Sequence, residues 1–195
     1  MKKNLSISLL LSAIALFIII DPTQALPPSI IPDQIVAKNQ DITITGNNGK
    51  YLVRIPVKSS RENAWKVLTD YTDLPRFISD LLSSKIVKNN GNQKILDQVY
   101  SGPYTFGLKA KIRVNVIEIY PKKLDIKLVK ADYLKSFQGS WNIESSSDKS
   151  NHLILIYKVN IDPKISFAKE LFFQFYEESL NDAMIQLKKE IESRT

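Results

Sequence analysis

No cysteine occurs among the 195 residues. Disulfides, thiolate nucleophiles and sulfur-ligated metals are therefore excluded. A single histidine, His152, rules out a metal centre built on several imidazoles. It opens a strand-like run out of phase with Leu153 and Leu155, so it is expected to face water rather than act in catalysis. Glycines number six, and none is arranged as a phosphate-binding loop. The patterns G-x-S-x-G and H-E-x-x-H are missing as well. Asp70, Asp73 and Asp80 match neither a calcium loop nor a DxD-type metal site. Asp70 and Asp73 are expected instead to cap or close a turn between two helices. No internal repeat, interdomain linker or low-complexity tail divides the chain.

Negative charge is also in deficit, with 20 Asp and Glu against 27 Lys and Arg and a net charge of +7. Such a balance favours anionic surfaces and carries no information about fold. Aromatics do not interleave with the basic residues, so nucleic-acid binding is not expected. Lys109, Lys111 and Arg113 share one face of a strand, with Lys127 expected near them. That face reads either as a solvated sheet surface or as a region of weak, transient attraction to an anionic membrane.

Apolar residues make up 44% of the chain and charged residues 24%, the balance of one ordinary folded domain. The first residues stand apart. Lys2 and Lys3 precede an apolar run from Leu5 to Ile20, broken only by Ser6, Ser8 and Ser12. Asp21-Pro22 ends the run, and Thr23-Gln24-Ala25 offers small residues to a signal peptidase. Residues 1–25 read as a secretory signal cleaved after Ala25, with a retained membrane anchor as the alternative. Either reading places the domain outside the cytoplasm, in a periplasm or a thylakoid lumen. Residues 26–40 read as a leader and residues 41–195 as the domain.

Asp41 to Thr45 and Tyr51 to Val57 alternate on either side of Asn47-Asn48-Gly49, a hairpin pattern. Ser59 or Ser60 can cap a helix with Ala64, Trp65, Val67 and Leu68 on its buried side. Leu74-Pro75 opens a second short helix. From Leu82 to Ile161 strand follows strand, punctuated by turn residues and by the polar run Ser145 to Asn151. The cleanest alternation sets Leu108, Ala110, Ile112, Val114 and Val116 inward against Lys109, Lys111, Arg113 and Asn115 outward. The phase slips at Ile117-Glu118-Ile119, which predicts a bulge or bend.

Phe167 to Ile191 ends the chain with a long helix. Phe172, Phe175, Tyr176, Leu180, Ala183, Met184, Leu187 and Ile191 recur three and four apart, while Lys188 and most charged residues fall outside that stripe. At ~1.5 Å per residue the helix is roughly 35 Å long. These elements specify an α+β fold: a curved antiparallel sheet wrapped around a long C-terminal helix, with two short helices after the first strand. Large aromatics at the start of the long helix and smaller residues later leave room for a ligand. A solid core would show the same stripe.

The segment Trp65-Lys-Val-Leu-Thr-Asp-Tyr-Thr-Asp-Leu-Pro-Arg-Phe77 resembles the helix–turn–helix opening of START-like (SRPBCC, helix-grip) proteins. The similarity is to the polyketide cyclase/dehydrase and coenzyme Q-binding family, in particular its exported cyanobacterial members. Phe137-Gln-Gly-Ser-Trp141 and Leu155-Ile-Tyr-Lys-Val159 resemble later strands of that family. Relatives often carry Pro soon after the Phe matching Phe77, where this chain has Ile78-Ser79. The resemblance implies a hydrophobic cavity between sheet and helix, and ligands such as lipids, isoprenoid quinones or polycyclic aromatics. It implies no particular reaction and no cofactor.

The candidate cavity lining is Phe77, Gln98, Tyr100, Tyr104, Phe106, Ile112, Val114, Phe137, Trp141, Tyr157, Phe172 and Tyr176. Tyr157 shares the phase of Leu155 and Val159 and is placed either to hydrogen-bond a ligand carbonyl or to serve as a core tyrosine. Gln98 reads either as one polar contact or as a solvent-facing residue. Phe137 and Trp141 form a wall for a ring or acyl chain, or simply pack. By family likeness, Tyr104 and Phe106 line a rim that Gly107 bends, and of Trp65 and Phe77 one packs and one gates. The inner phase is nearly all apolar, with no acid–base set, so no catalytic residue is assigned. A binder or carrier of a hydrophobic small molecule is the expectation. The alternatives are a polyketide cyclase, aromatase or dehydratase, and a membrane-associated interaction module with a solid core.

Overall fold

The computed structural model describes residues 34–36 (backbone only), 42–146, 152–165 and 167–194. The expected signal segment, its cleavage point and most of the polar loop after Ser145 lie outside those residues.

The described strands form one antiparallel sheet. Gln34–Val36 (β1), Thr43–Asn47 (β2) and Lys50–Lys58 (β3) come first, so the sheet already begins within the stretch read as leader. Helices Arg61–Thr69 (α1) and Leu74–Phe77 (α2) follow β3, the first long strand. Then come Leu81–Asn90 (β4), Gln93–Tyr100 (β5), Ala110–Ile119 (β6), Lys123–Ala131 (β7), Leu134–Ser145 (β8) and His152–Pro163 (β9), and finally helix Lys169–Ser193 (α3). The spatial order is β1-β2-β3-β9-β8-β7-β6-β5-β4. The crossover pairs β3 with the last strand, from Lys50 opposite Asn160 to Lys58 opposite His152. The curved sheet and the long helix form the expected α+β architecture.

Local chemistry explains the elements. Asn48 and Gly49 both adopt positive φ and close the β2–β3 hairpin. Ser60 caps α1, its Oγ accepting from the Asn63 N–H at 3.1 Å. Pro75 sits in the first turn of α2, where its missing N–H costs nothing. The sequence reading has Asp70 and Asp73 cap or close the interhelical turn; Asp73 stands at the N-cap of α2, but its side chain makes no cap bond. It holds Arg76 and Arg194 instead, while the Asp70 carbonyl closes the interhelical turn by accepting from the Asp73 and Leu74 N–H groups.

Two further expectations need correction. The strand β6 does not slip at residues 117–119: Ile117 and Ile119 point out, and Glu118 points in with Val114 and Val116. The sequence reads as a slip because Glu118 is a charged residue on the inner phase, partnered by Tyr71 and Lys94 from elsewhere in the chain. The irregularity in the β6–β7 pairing lies at Arg113/Val114. On α3, Lys188 is buried at 9% exposure, because its ammonium donates to the Pro56 carbonyl and pairs with Glu192 at 3.1 Å. The stripe also widens to include Phe173, which lies against Gly49 under the Lys169 ammonium.

Candidate functional site

Sheet and helix do not touch along their whole length. They enclose a cavity of about 640 Å³. Its floor comes from β5 to β9 with Leu81 of β4, and its roof from α3, with Leu68 of α1 and the α1–α2 turn at one end. Neither β2 nor β3 contributes to it. On β6, every second residue from Ala110 to Val116 lines the space, the inward phase of a half-wet strand.

The Pro103–Thr105 turn lies beside the cavity. It follows β5 and lays Tyr104 on α3, edge-on to Phe172 and to Tyr176 at centroid distances of 6.1 and 5.7 Å. Thr105 Oγ accepts from the Gly102 N–H at 3.0 Å and donates to the Gly102 carbonyl at 2.9 Å, which fixes the turn. Phe106 and Gly107 then take left-handed φ values of 54° and 73°. That reversal sends Phe106 across to Phe175, ring centroids 6.2 Å apart.

All the candidate lining residues named from the sequence border the cavity except Phe77. Phe77 packs on the core from α2, with the Arg76 guanidinium 5.5 Å from its ring. Its neighbours Leu74 and Ile78 face the cavity in its place, because α2 is one short turn and presents those positions inward. Trp65 packs in the core, edge-on to Tyr120. Gln98 is buried at 8% exposure; its Nε2 donates to Ser84 Oγ at 3.1 Å and its Oε1 accepts from the Tyr100 hydroxyl at 3.1 Å. Trp141 stacks on Tyr157 with centroids 4.4 Å apart and planes 22° from parallel.

Gly139 sets the direction of Tyr157. A Cβ at residue 139 would meet the Tyr157 hydroxyl at 3.1 Å. The tyrosine ring therefore crosses flat over a position with no side chain. Burial pushes the Tyr100 phenol up to about 12 and raises Tyr157, Tyr104 and Tyr176 well above the ordinary tyrosine value. All four remain neutral donors at physiological pH. Among the described residues, the charged side chains that reach the lining are Asp80 and Lys111. Among the described residues, no group of His, Asp or Glu could hold a metal ion.

The mouth carries the feature that sequence reading missed most. Leu108 is 55% exposed, Phe167 is 90% exposed, and Phe106, Tyr133 and Leu171 are exposed with them. All five border the cavity. Only the structure brings them together, since they come from three separate segments. There β7 and β8 also part: they pair only from Lys123–Asn142 to Lys127–Gln138, and the segment from Leu128 to Phe137 leaves the ladder.

A family model described as polyketide cyclase / dehydrase and lipid transport matches residues 57–187. A search of curated proteins finds no match. Among solved structures, a START superfamily protein from Mycobacterium smegmatis aligns with a TM-score of 0.65 at 14% identity, over 77% of this chain and 100% of that one. A Thermus thermophilus protein gives 0.65 at 11% identity, over 74% and 97%. An aromatase/cyclase from Streptomyces sp. R1128 gives 0.64 at 11% identity, over 73% and 93%. At such identities these structures establish the fold alone. The family match, which spans most of the domain, establishes more: this chain belongs to the polyketide cyclase / dehydrase and lipid transport family.

Proposed function

We propose that the protein binds and carries a hydrophobic small molecule, such as a lipid, an isoprenoid quinone or a polycyclic aromatic, without changing it. The cavity carries this reading: about 640 Å³, walled by aliphatic and aromatic side chains and open at one rim. The reading without chemistry rests on Tyr157. Its hydroxyl has no ionisable hydrogen-bond partner among the described residues, and its phenol is held neutral by burial. A cyclase or dehydratase would need an acid–base pair at that position. Native mass spectrometry of gently purified full-length protein tests the proposal. An added mass that leaves on denaturation, with displacement by the neutral apolar fluorophore N-phenyl-1-naphthylamine, is the expected result. Protein that is empty and fails to take up the fluorophore would refute it.

Loading from a membrane is part of the same proposal. The exposed apolar rim sits beside Lys109 and Lys111, both solvent-exposed. Apolar side chains that enter a bilayer, flanked by lysines, favour an anionic surface. Lys111 supports this better than its neighbour Arg113, whose charge is met by Asp97 at 2.5 Å. Reading residues 1–25 as a signal places this work outside the cytoplasm. No described helix is long and apolar enough to cross a membrane; in this proposal the rim makes the contact. The check is flotation with vesicles of phosphatidylcholine alone or with ~30% phosphatidylglycerol. The anionic vesicles should retain the protein and Phe167→Ser should weaken retention; equal behaviour on both compositions would remove the electrostatic part.

A further inference from the structure

The tyrosines of this fold divide into two sets. Tyr51 is buried away from the cavity and Tyr71 borders one end of it, and each donates to a carboxylate: Tyr51 to Glu177 at 2.8 Å, Tyr71 to Glu118 at 2.7 Å. Tyr100 also has a partner, the Gln98 amide oxygen. The hydroxyls of Tyr104, Tyr157 and Tyr176 hydrogen-bond to nothing among the described residues. These three border the cavity and lie within electrostatic reach of one another and of Tyr100. Among the described residues the protein leaves these three donors free, and their hydroxyls open onto the cavity instead of being sealed in the core. Three free donors facing one space, while the fold satisfies its other buried tyrosines, point to an acceptor that arrives with the ligand.

We infer that Tyr104, Tyr157 and Tyr176 form a polar subsite that selects apolar ligands bearing a neutral carbonyl oxygen. This rests on the carrier reading and narrows its ligand class. A phenol donates one strong hydrogen bond, and a carbonyl oxygen accepts two. A ligand carboxylate would suit the donors but not the surroundings. Among the described residues, no cationic side chain borders the cavity except Lys111 at its exposed rim, and Asp80 adds negative charge near Tyr104. A buried carboxylate would therefore remain without a counter-charge. A hydrocarbon would leave all three donors unmet, which a site built for hydrogen bonding penalises. Trp141, stacked on Tyr157, adds a flat apolar wall beside the donors. Gly139 belongs to the same device, because its missing side chain lets the Tyr157 hydroxyl reach the lumen.

The test uses three probes on one skeleton, each displacing N-phenyl-1-naphthylamine from the full-length protein: 2-methyl-1,4-naphthoquinone, 2-methylnaphthalene and 2-naphthoate. The quinone should bind about tenfold more tightly than the hydrocarbon and also more tightly than the carboxylate. Tyr157→Phe and Tyr176→Phe should each weaken the quinone about three- to tenfold and leave the hydrocarbon unchanged, since each removes one neutral hydrogen bond and keeps the ring. Gly139→Ala should resemble Tyr157→Phe. Equal binding of quinone and hydrocarbon, equal losses for both in the Phe variants, or preference for the carboxylate would each overturn the inference. The wild-type ranking decides the matter even if a variant misfolds. Failure of the fluorophore itself to bind would instead refute the carrier proposal.

Discussion

Two halves of the sheet meet the same helix differently. On one side β3 packs directly on α3, where the Lys188 ammonium reaches the Pro56 carbonyl and Tyr51 lies against Tyr176. Val53, Ile55 and Leu155 there are wholly buried in the core, and neither β2 nor β3 borders the cavity. On the other side β5 to β8 stand off from α3, and the inward Ile112 and Ile126 are only half-buried. The residue types on the two inner faces are alike. What differs is the content of the layer above them. α3 packs directly on β3, whereas over the second half rim residues and tyrosines border an open space. An apolar inner phase thus specifies burial, and the helices laid over it decide whether the burial is against protein or against a ligand.

The sharpest way to break this comparison is to add volume to each half. Ala64 of α1 is wholly buried in the core and does not border the cavity. Ala64→Phe should cost about 3 kcal/mol or more, at the top of the range for overpacking. Ala183 of α3 borders the cavity. Ala183→Phe should cost under ~1 kcal/mol because its ring enters open space. It should lower fluorophore affinity by at least tenfold by occupying the lumen. Urea unfolding and fluorophore titration read the two effects. Equal destabilisation would mean that the second half is as closely packed as the first.

Removing volume sharpens the same contrast with a smaller effect. Leu155→Ala should destabilise by about 2–5 kcal/mol, the transfer loss plus a cavity in a layer with no slack. Ile112→Ala should cost only about 1 kcal/mol, because half of that side chain already faces open space. Urea midpoints at constant denaturant slope make the comparison. A larger loss at Ile112 would reverse the assignment of filled and hollow halves.

The alternation along β6 and the three-four spacing on α3 make most of the architecture legible in the sequence, since both periods are local. The cavity lining is largely legible for the same reason: once the inward phase is assigned, its members follow. What escapes is set by partners distant in the chain. Glu118 looks like a break in the pattern because Tyr71 and Lys94 are out of view. Lys188 looks like a surface lysine because nothing local shows that the Pro56 carbonyl lies beside it. Phe77 looks like a lining residue when α2 is read as a face, whereas a single turn offers too few positions to have one. Of the rim the sequence offers Phe106 and Leu108, but Tyr133, Phe167 and Leu171 come from distant segments that share no period with them.

The smallest expected effect concerns the end of α3 farthest from the rim. Asp73 is held below the usual carboxylate range by hydrogen bonds from Arg76, with Arg194 adding to them. Burial alone would raise Glu190, but hydrogen bonds from Arg76 and Arg194 outweigh it and hold that carboxyl low as well. A carboxyl depressed in the folded state contributes stability that is present above its unfolded value, about 3.9 for Asp and 4.3 for Glu. That contribution is lost as the pH falls through the lower folded value. The network should therefore hold α2 on α3 unchanged from pH 7 down to about 5 and weaken below about 4. The loss should be slight, since these groups are largely solvated and screened. The four tyrosine phenols stay neutral throughout that range, so the lumen itself should not respond. Hydrogen exchange should then quicken in α2 and the last turn of α3 at low pH while the fluorophore remains bound, and Asp73→Asn should flatten the acid limb. Release of the fluorophore in step with the loosening would show that the α2 clamp, through Leu74 and Ile78, also holds the cavity closed, and that the two halves are energetically one.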